Sequence, residues 1–216
     1  MVKRTGASAR MSKHDRVSLL FREPSPLYDI GTIMFHVEQN LTNEIVAVLL
    51  QTDLHLRGIA EKLHTNHMTI ARKLHNLVDE NSADYRTEGK NTVYFLKKSI
   101  EGRNAAMIAE LYKQSRIVST YPVLRGIFQA VQEMPDIPLA LLYGSYAKGL
   151  PTKDSDIDIY IETLNSTLKK QLEQRHSLLS VKIGEFDPKS LLIREIIKDH
   201  VIIKGVEVYF DKTGFL

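Results

Sequence analysis

The stretch from Leu139 to Glu162, LALLYGSYAKGLPTKDSDIDIYIE, constrains the fold of this chain more than any other. Leu139, Leu141 and Leu142 form a short apolar run that reads as a buried strand and ends at Gly144-Ser145. Ten residues separate Ser145 from Asp156-Ile157-Asp158, which opens an alternation of Asp156, Asp158 and Tyr160 against Ile157, Ile159 and Ile161. Side chains two apart on a strand share a face, with α-carbons roughly 6.5–7 Å apart. Both carboxylates therefore converge on one spot while the isoleucines bury the opposite face.

Such a spot suits a nucleoside triphosphate. Magnesium is held by a few carboxylates together with phosphate oxygens of the substrate, so two aspartates on a rigid strand are a sufficient anchor. Gly144 has no β-carbon to keep phosphates away from the backbone. Ser145 offers a hydroxyl and an amide at the start of a short helix. Lys148 and Lys153 either add charge along a triphosphate or are ordinary solvated loop lysines.

The words YGSYAKG and SDIDIYIE resemble the signature of the minimal nucleotidyltransferases of the DNA polymerase β superfamily, and the resemblance covers about residues 138–211. It implies that Gly144 and Ser145 hold the triphosphate and that Asp156 and Asp158 bind two Mg2+ ions. An acceptor hydroxyl would then attack the α-phosphorus in line and release pyrophosphate. Members commonly transfer AMP from ATP to proteins, antibiotics or RNA ends. A subset are antitoxins that adenylylate a HEPN-type RNase toxin.

In one respect the sequence departs from the family. Members carry a third carboxylate on a later strand, which here matches Leu178–Phe186. Its apolar alternation puts Lys182 or Ser180 at that position. Glu185 is the nearest acid and is a catalytic candidate if a bulge at Gly184 turns it inward. Glu207 and Asp211, beside an expected terminal strand Val206–Phe210, are weaker candidates. A surface role is the competing reading for all three.

Upstream, three helices and a hairpin are expected. Ile45, Val48 and Leu49 mark the first helix, from Leu41, and Ile59, Ala60 and Leu63 mark a second over Leu56–Leu63. A third runs from about His67 to Glu80, capped by Asn66 or Thr65, with Ile70, Leu74, Leu77 and Val78 inward. Ala83–Thr87 and Thr92–Leu96 flank Glu88-Gly89-Lys90-Asn91 as a β-hairpin. This order resembles a winged helix-turn-helix over about 41–98. The resemblance implies duplex DNA contacts from His67, Thr69, Arg72, Lys73 and His75 on the third helix, and from Arg86 and Lys90 on the wing. It equally admits a dimer or protein-contact module, and homodimer formation is a corollary. Residues 38–98 hold eight cations and eight acids, a weak electrostatic case for DNA. His64, His67 and His75 lack a recognisable metal-ligand spacing and read as surface or groove-facing groups.

The expected domains are a basic, poorly ordered tail at 1–37, the winged helix at 38–98, a helical connector at 99–135 and a mixed-sheet nucleotidyltransferase fold at 136–216, an α/β (α+β) chain. In the connector, Ile108, Leu111 and Ile117 are expected on one face, and Leu124, Ile127, Phe128 and Val131 continue as a second amphipathic helix. With 29 Lys and Arg against 26 Asp and Glu, the excess of +3 lies wholly in residues 1–37. Zero cysteines exclude a disulfide scaffold and a cysteine nucleophile. No apolar run approaches a membrane span, and no signal-peptide core is evident, so a cytoplasmic protein without a membrane partner is expected. Three functions compete: an AMP transferase acting on a protein or nucleic-acid hydroxyl, a DNA-binding regulator with a degenerate nucleotide-sensing domain, and an antitoxin-like partner of a HEPN-type RNase.

Overall fold

The computed structural model describes the backbone of residues 30–215 and the side chains from residue 40 onward. The tail reading of residues 1–29 lies outside the described residues. Helix α1 spans Ile30–Gln51, so it begins upstream of the winged-helix boundary read from the sequence.

From Asn40, α1 contributes Ile45, Val46, Val48 and Leu49 to an apolar cluster with Ile59 and Ala60 of α2 (Leu56–Lys62) and Ile70, Leu74 and Leu77 of α3 (His67–Asp79). The α3 amino end is capped by Asn66, whose Oδ1 accepts from Met68 N at 2.8 Å. That satisfies a backbone donor with no partner inside the helix. Strands β2 (Ala83–Glu88) and β3 (Asn91–Leu96) pair antiparallel through a two-residue loop. Gly89 leads the loop at φ +63, the positive value a tight hairpin of this kind requires. The short strand β1 (Leu54–His55), not expected from the sequence, adds to β3 and gives a sheet ordered β1-β3-β2. Three helices and a three-stranded wing make this a winged helix-turn-helix.

The connector is α4 (Ile100–Thr120) followed by α5 (Leu124–Gln132). The buried face of α4 is Gly102, Ala106, Ala109 and Glu110, while Ile108 and Leu111 are each 50% exposed. The expected apolar face is therefore corrected, with Ile117 alone of the three packing against a core. Small residues won because α4 must approach two neighbours closely. A β-carbon on Gly102 would overlap the Lys97 carbonyl, Ala109 joins the winged-helix core, and Ala106 joins the core of the second sheet.

That second sheet is ordered β6-β5-β4-β7, from β4 (Ala140–Tyr143), β5 (Ile157–Glu162), β6 (Leu179–Gly184) and β7 (Val201–Lys204). β4 runs antiparallel to β5 and β7, and β5 runs parallel to β6. One face packs Ile157, Ile159 and Ile161 against α5 and Leu172 of α7 (Ser166–Glu173). The other packs Leu139, Leu141, Tyr160 and Ile202 against α4, Ile193 and Ile196 of α8 (Leu191–Lys198), and Tyr209 and Phe210 of α9 (Val206–Thr213). On the edge strand β7, the Gln114 Nε2 group donates to the Ile202 and Ile203 carbonyls at 2.8 Å each, which ties the connector to the sheet.

The strand expected at Val206–Phe210 is thus helix α9. Val-Glu-Val-Tyr-Phe fits a strand's alternation, but its partners decide otherwise. Gly205 turns the chain at φ +80 against the Pro138 carbonyl, where no β-carbon fits, and Tyr209 N donates to Gly205 O at 2.9 Å. Tyr209 and Phe210, consecutive on α9, are both buried in the core.

Candidate active site

The site lies where β4 ends and β5 begins. The antiparallel register sets Tyr143 opposite Asp158, and the chain turns at once into α6 (Gly144–Ala147). Gly144 takes φ +73, and a β-carbon there would overlap Asp158 Oδ2 and lie 3.2 Å from its Cγ. Glycine is therefore needed twice, for the left-handed backbone and for the seat of the carboxylate. Ser145, half-buried, follows on the same turn, and its carbonyl accepts from Leu150 N at 3.0 Å, which folds the loop back.

Asp156 is exposed and Asp158 half-buried, yet Tyr160 one step further on the same face is 1% exposed. Exposure thus rises along that face from Tyr160 through Asp158 to Asp156, toward the start of β5. Burial pushes the Asp158 carboxyl above its ordinary value and the Asp156 charge adds to this, while a hydrogen bond from the Ser180 side chain and the charge of Lys182 oppose it. The Asp156 charge is near enough to act on Asp158, although burial is the larger cause. Tyr143, absent from the candidates drawn from sequence, is pushed up to about 12 by burial and by Asp158. Its signal was its place as the last strand residue before the glycine.

The strand β6 meets the departure noted in the sequence. Its parallel register pairs Asp158 with Ser180 and Tyr160 with Lys182, so both side chains stand on the carboxylate face. Glu185 does not join them. The register stays regular through Gly184, opposite Glu162, with no bulge within the strand, and Glu185 follows at the far end of β5. Five residues along a strand carry it roughly 16 Å from Ser180. Its charge is felt by Tyr160 there, not by Asp158. Glu207 is exposed on α9, and Asp211 pairs with Arg103 at 2.8 Å. Among the described residues no three His, Asp or Glu side chains gather closely enough to hold a metal ion.

Asp156 and Asp158 thus fit one Mg2+ completed by phosphate oxygens. The second ion expected from the resemblance finds a hydroxyl and an ammonium where it needs a carboxylate. Lys148 and Lys153 are both exposed, and Lys148 lies close enough to Glu195 of α8 to act on its charge.

The residues named for DNA fall into two groups. His67 and Arg72 on α3 and Lys90 on the wing turn are exposed, as is His75, although its Nδ1 lies 2.7 Å from Asp79 Oδ2. Thr69 is half-buried. Lys73 is corrected: it is 8% exposed and sits on the inner side of α3 next to Leu74. Helical spacing places position 73 beside the buried positions 70, 74 and 77, and its aliphatic stem packs there. Arg86 is exposed in part, but its Nη1 donates to Asp53 Oδ2 at 2.6 Å and its Nε to Glu88 Oε1 at 2.7 Å. Sequence reasoning missed Met68, 77% exposed at the start of α3.

Residues 126–212 match the family model described as polymerase beta, nucleotidyltransferase. No curated protein matches the sequence. Among solved structures, the homodimeric winged helix-turn-helix DNA-binding domain of a possible ArsR-family transcriptional regulator from Mycobacterium bovis aligns at 16% identity over 47% of this chain and 95% of that one, with a TM-score of 0.28. A toxin–antitoxin crystal structure with AMP-PNP aligns at 22% identity over 43% of this chain and 77% of that one, with a TM-score of 0.32. Likenesses this remote carry no weight for function. No helix among the described residues is long and apolar enough to cross a membrane. The stretch that matches the polymerase beta, nucleotidyltransferase family model, residues 126–212, contains both the glycine-serine turn and the aspartate strand.

Proposed function

We propose that this chain is a magnesium-dependent nucleotidyltransferase that moves AMP from ATP to a hydroxyl of a macromolecule, with its winged helix choosing where it acts. The observation that carries the reading is the seat of Asp158 against Gly144. It sets one carboxylate directly against the turn, with the Asp156 charge near enough to act on it.

In this reading Gly144 and Ser145 hold the phosphates, and Asp156 and Asp158 hold Mg2+ with them. The ion supplies charge neutralisation and Lewis acidity at the α-phosphorus. The chain's own residues orient the nucleotide so that an acceptor oxygen lies opposite the leaving pyrophosphate. The acceptor O–P bond forms, the Pα–O–Pβ bond breaks, and the hydroxyl proton leaves to solvent. Lys148 and Lys153, exposed between the turn and β5, contribute charge to the phosphates in this reading. His67, Arg72, Arg86 and Lys90 form the candidate duplex-facing set.

A second reading, a DNA-binding regulator that senses nucleotide without transferring it, is favoured by Ser180 and Lys182 standing where the family has an acid. Incubation with α-labelled ATP, Mg2+ and cell lysate separates the two. The transferase reading expects a labelled acceptor that disappears with Asp156→Ala plus Asp158→Ala. No label on any acceptor, together with nucleotide binding and sequence-selective duplex binding, favours the regulator. A labelled RNase acceptor would specify the antitoxin case.

A further inference from the structure

The carboxylate face carries a cation of the protein's own. On β6, Ser180 pairs in register with Asp158 and Lys182 pairs with Tyr160, so the two project from the same side as the aspartates. Lys182 is exposed and close enough to act on the charge of Asp158. Glu185, the nearest acid in sequence, stands at the other end of the strands, and Glu162 beside it is bound to Lys212 at 2.9 Å. Neither can supply the missing ligand, and no three ligating side chains meet anywhere among the described residues.

A two-ion phosphoryl-transfer site has to neutralise about four positive charges with carboxylates and phosphates together. Two aspartates already balance one divalent ion, and a lysine beside them repels a second. An ammonium in that place does part of the same electrostatic work, because it attracts phosphate oxygens and stabilises charge that develops on them.

Resting on the transferase-domain reading above, we propose that this site holds one divalent cation with its nucleotide. The Lys182 ammonium takes the electrostatic place of the second ion and binds the phosphate chain directly. Lys182 is thus a substrate-binding residue, and Ser180 orients Asp158 for the single metal through its hydroxyl.

The test is Mn2+ titration of the full chain, followed by electron paramagnetic resonance, with a non-hydrolysable α,β-methylene ATP present. Nucleotide affinity is measured in parallel by calorimetry. The wild-type chain should take up one Mn2+ per chain. Lys182→Ala should keep that stoichiometry and lose nucleotide affinity by about tenfold or more, the scale of a charge-assisted phosphate contact. Lys182→Arg should restore most of it. Ser180→Asp combined with Lys182→Ser should take up two Mn2+ per chain. Circular dichroism checks that each variant is folded, and the exposure of Lys182 makes its substitutions tolerable. Two Mn2+ per wild-type chain, or unchanged affinity in Lys182→Ala, overturns the proposal and leaves the transferase reading standing. Failure of the wild-type chain to bind the analogue at all overturns both.

Discussion

The outer side of α3 and the open end of the β5 face are both polar surfaces on otherwise buried elements, yet their charges are handled in opposite ways. In the winged helix the charges are closed on themselves. Arg86 is held between Asp53 and Glu88, His75 meets Asp79, and Lys73 is turned inward. In the transferase domain two like charges are brought together, and Asp158 is partly desolvated as well. Among the described residues neither aspartate has an ion-pair partner within contact distance, although Ser180 and Lys182 moderate Asp158. The difference is informative because opposed charges assemble at almost no cost, whereas like charges persist only where something else compensates. Perturbed carboxyls in an open cleft mark function more reliably than a count of cations on a helix.

That contrast can be broken most directly at Asp158. Asp158→Ala should lower AMP transfer by at least about a hundredfold, since it removes half of the metal anchor. Its thermal midpoint should stay equal to wild type or rise, because relief of the Asp156 repulsion offsets the lost contact. A variant that unfolds instead would make the aspartate structural and dissolve the comparison.

The interior between connector and sheet extends the comparison to acid. His200 Nδ1 lies 2.9 Å from the Ile197 carbonyl, and the ring sits 4.7 Å from that of Tyr209. Burial, with the Lys113 charge as a lesser cause, lowers the imidazole from 6.5 to about 3. Its folded value lies below its unfolded one, so the neutral ring contributes full stability above about pH 6.5. That contribution drains away as pH falls toward 3, up to about 5 kcal/mol in all. Glu110 and Tyr209 face the same region and are raised, both chiefly by burial, so the Glu110 contribution has the opposite sign and grows as pH falls. Urea unfolding at pH 7 and pH 5 should show the loss in wild type and a shallower one in His200→Gln.

Gly144→Ala sharpens the claim about the seat. Its positive φ and its overlap with Asp158 should cost about 1–3 kcal/mol of stability and displace the carboxylate, so nucleotide affinity should fall along with the thermal midpoint. Affinity unchanged in a destabilised protein would detach the glycine from the site.

The smallest effect belongs to the winged helix. Asp53→Asn with Glu88→Gln frees Arg86 and should strengthen binding to duplex DNA a few-fold at low salt, steepening the salt dependence by about one counterion. Lys73→Ala should instead leave DNA affinity alone and reduce stability by about 1 kcal/mol. The reverse pair of results would show that α3 presents its inner side.

Much of this was legible before any coordinates. The α3 helix, its Asn66 cap, the hairpin with Gly89, and the turn between an apolar strand and an aspartate strand are all written in spacings of two to four residues. Short-range periodicity and turn chemistry are local properties of a chain. The Asp156–Asp158 pair was legible for the same reason, because a strand puts alternate side chains on one face whatever surrounds it.

What sequence alone decided, then, was most of the elements and the two carboxylates beside the glycine-serine turn. Tertiary structure decided which side of each element would be inside and which acid would be near which. Glu185 was three residues from Lys182, one of the two matching positions, but the parallel register of β5 and β6 sends it to the far end of the sheet. The α4 helix buries glycine and alanines rather than its larger residues because two cores press on it at once. Val206–Thr213 is a helix because Gly205 meets the Pro138 carbonyl, a contact between segments more than sixty residues apart. Each outcome rests on packing against chain that is distant in sequence, and no local pattern encodes that distance.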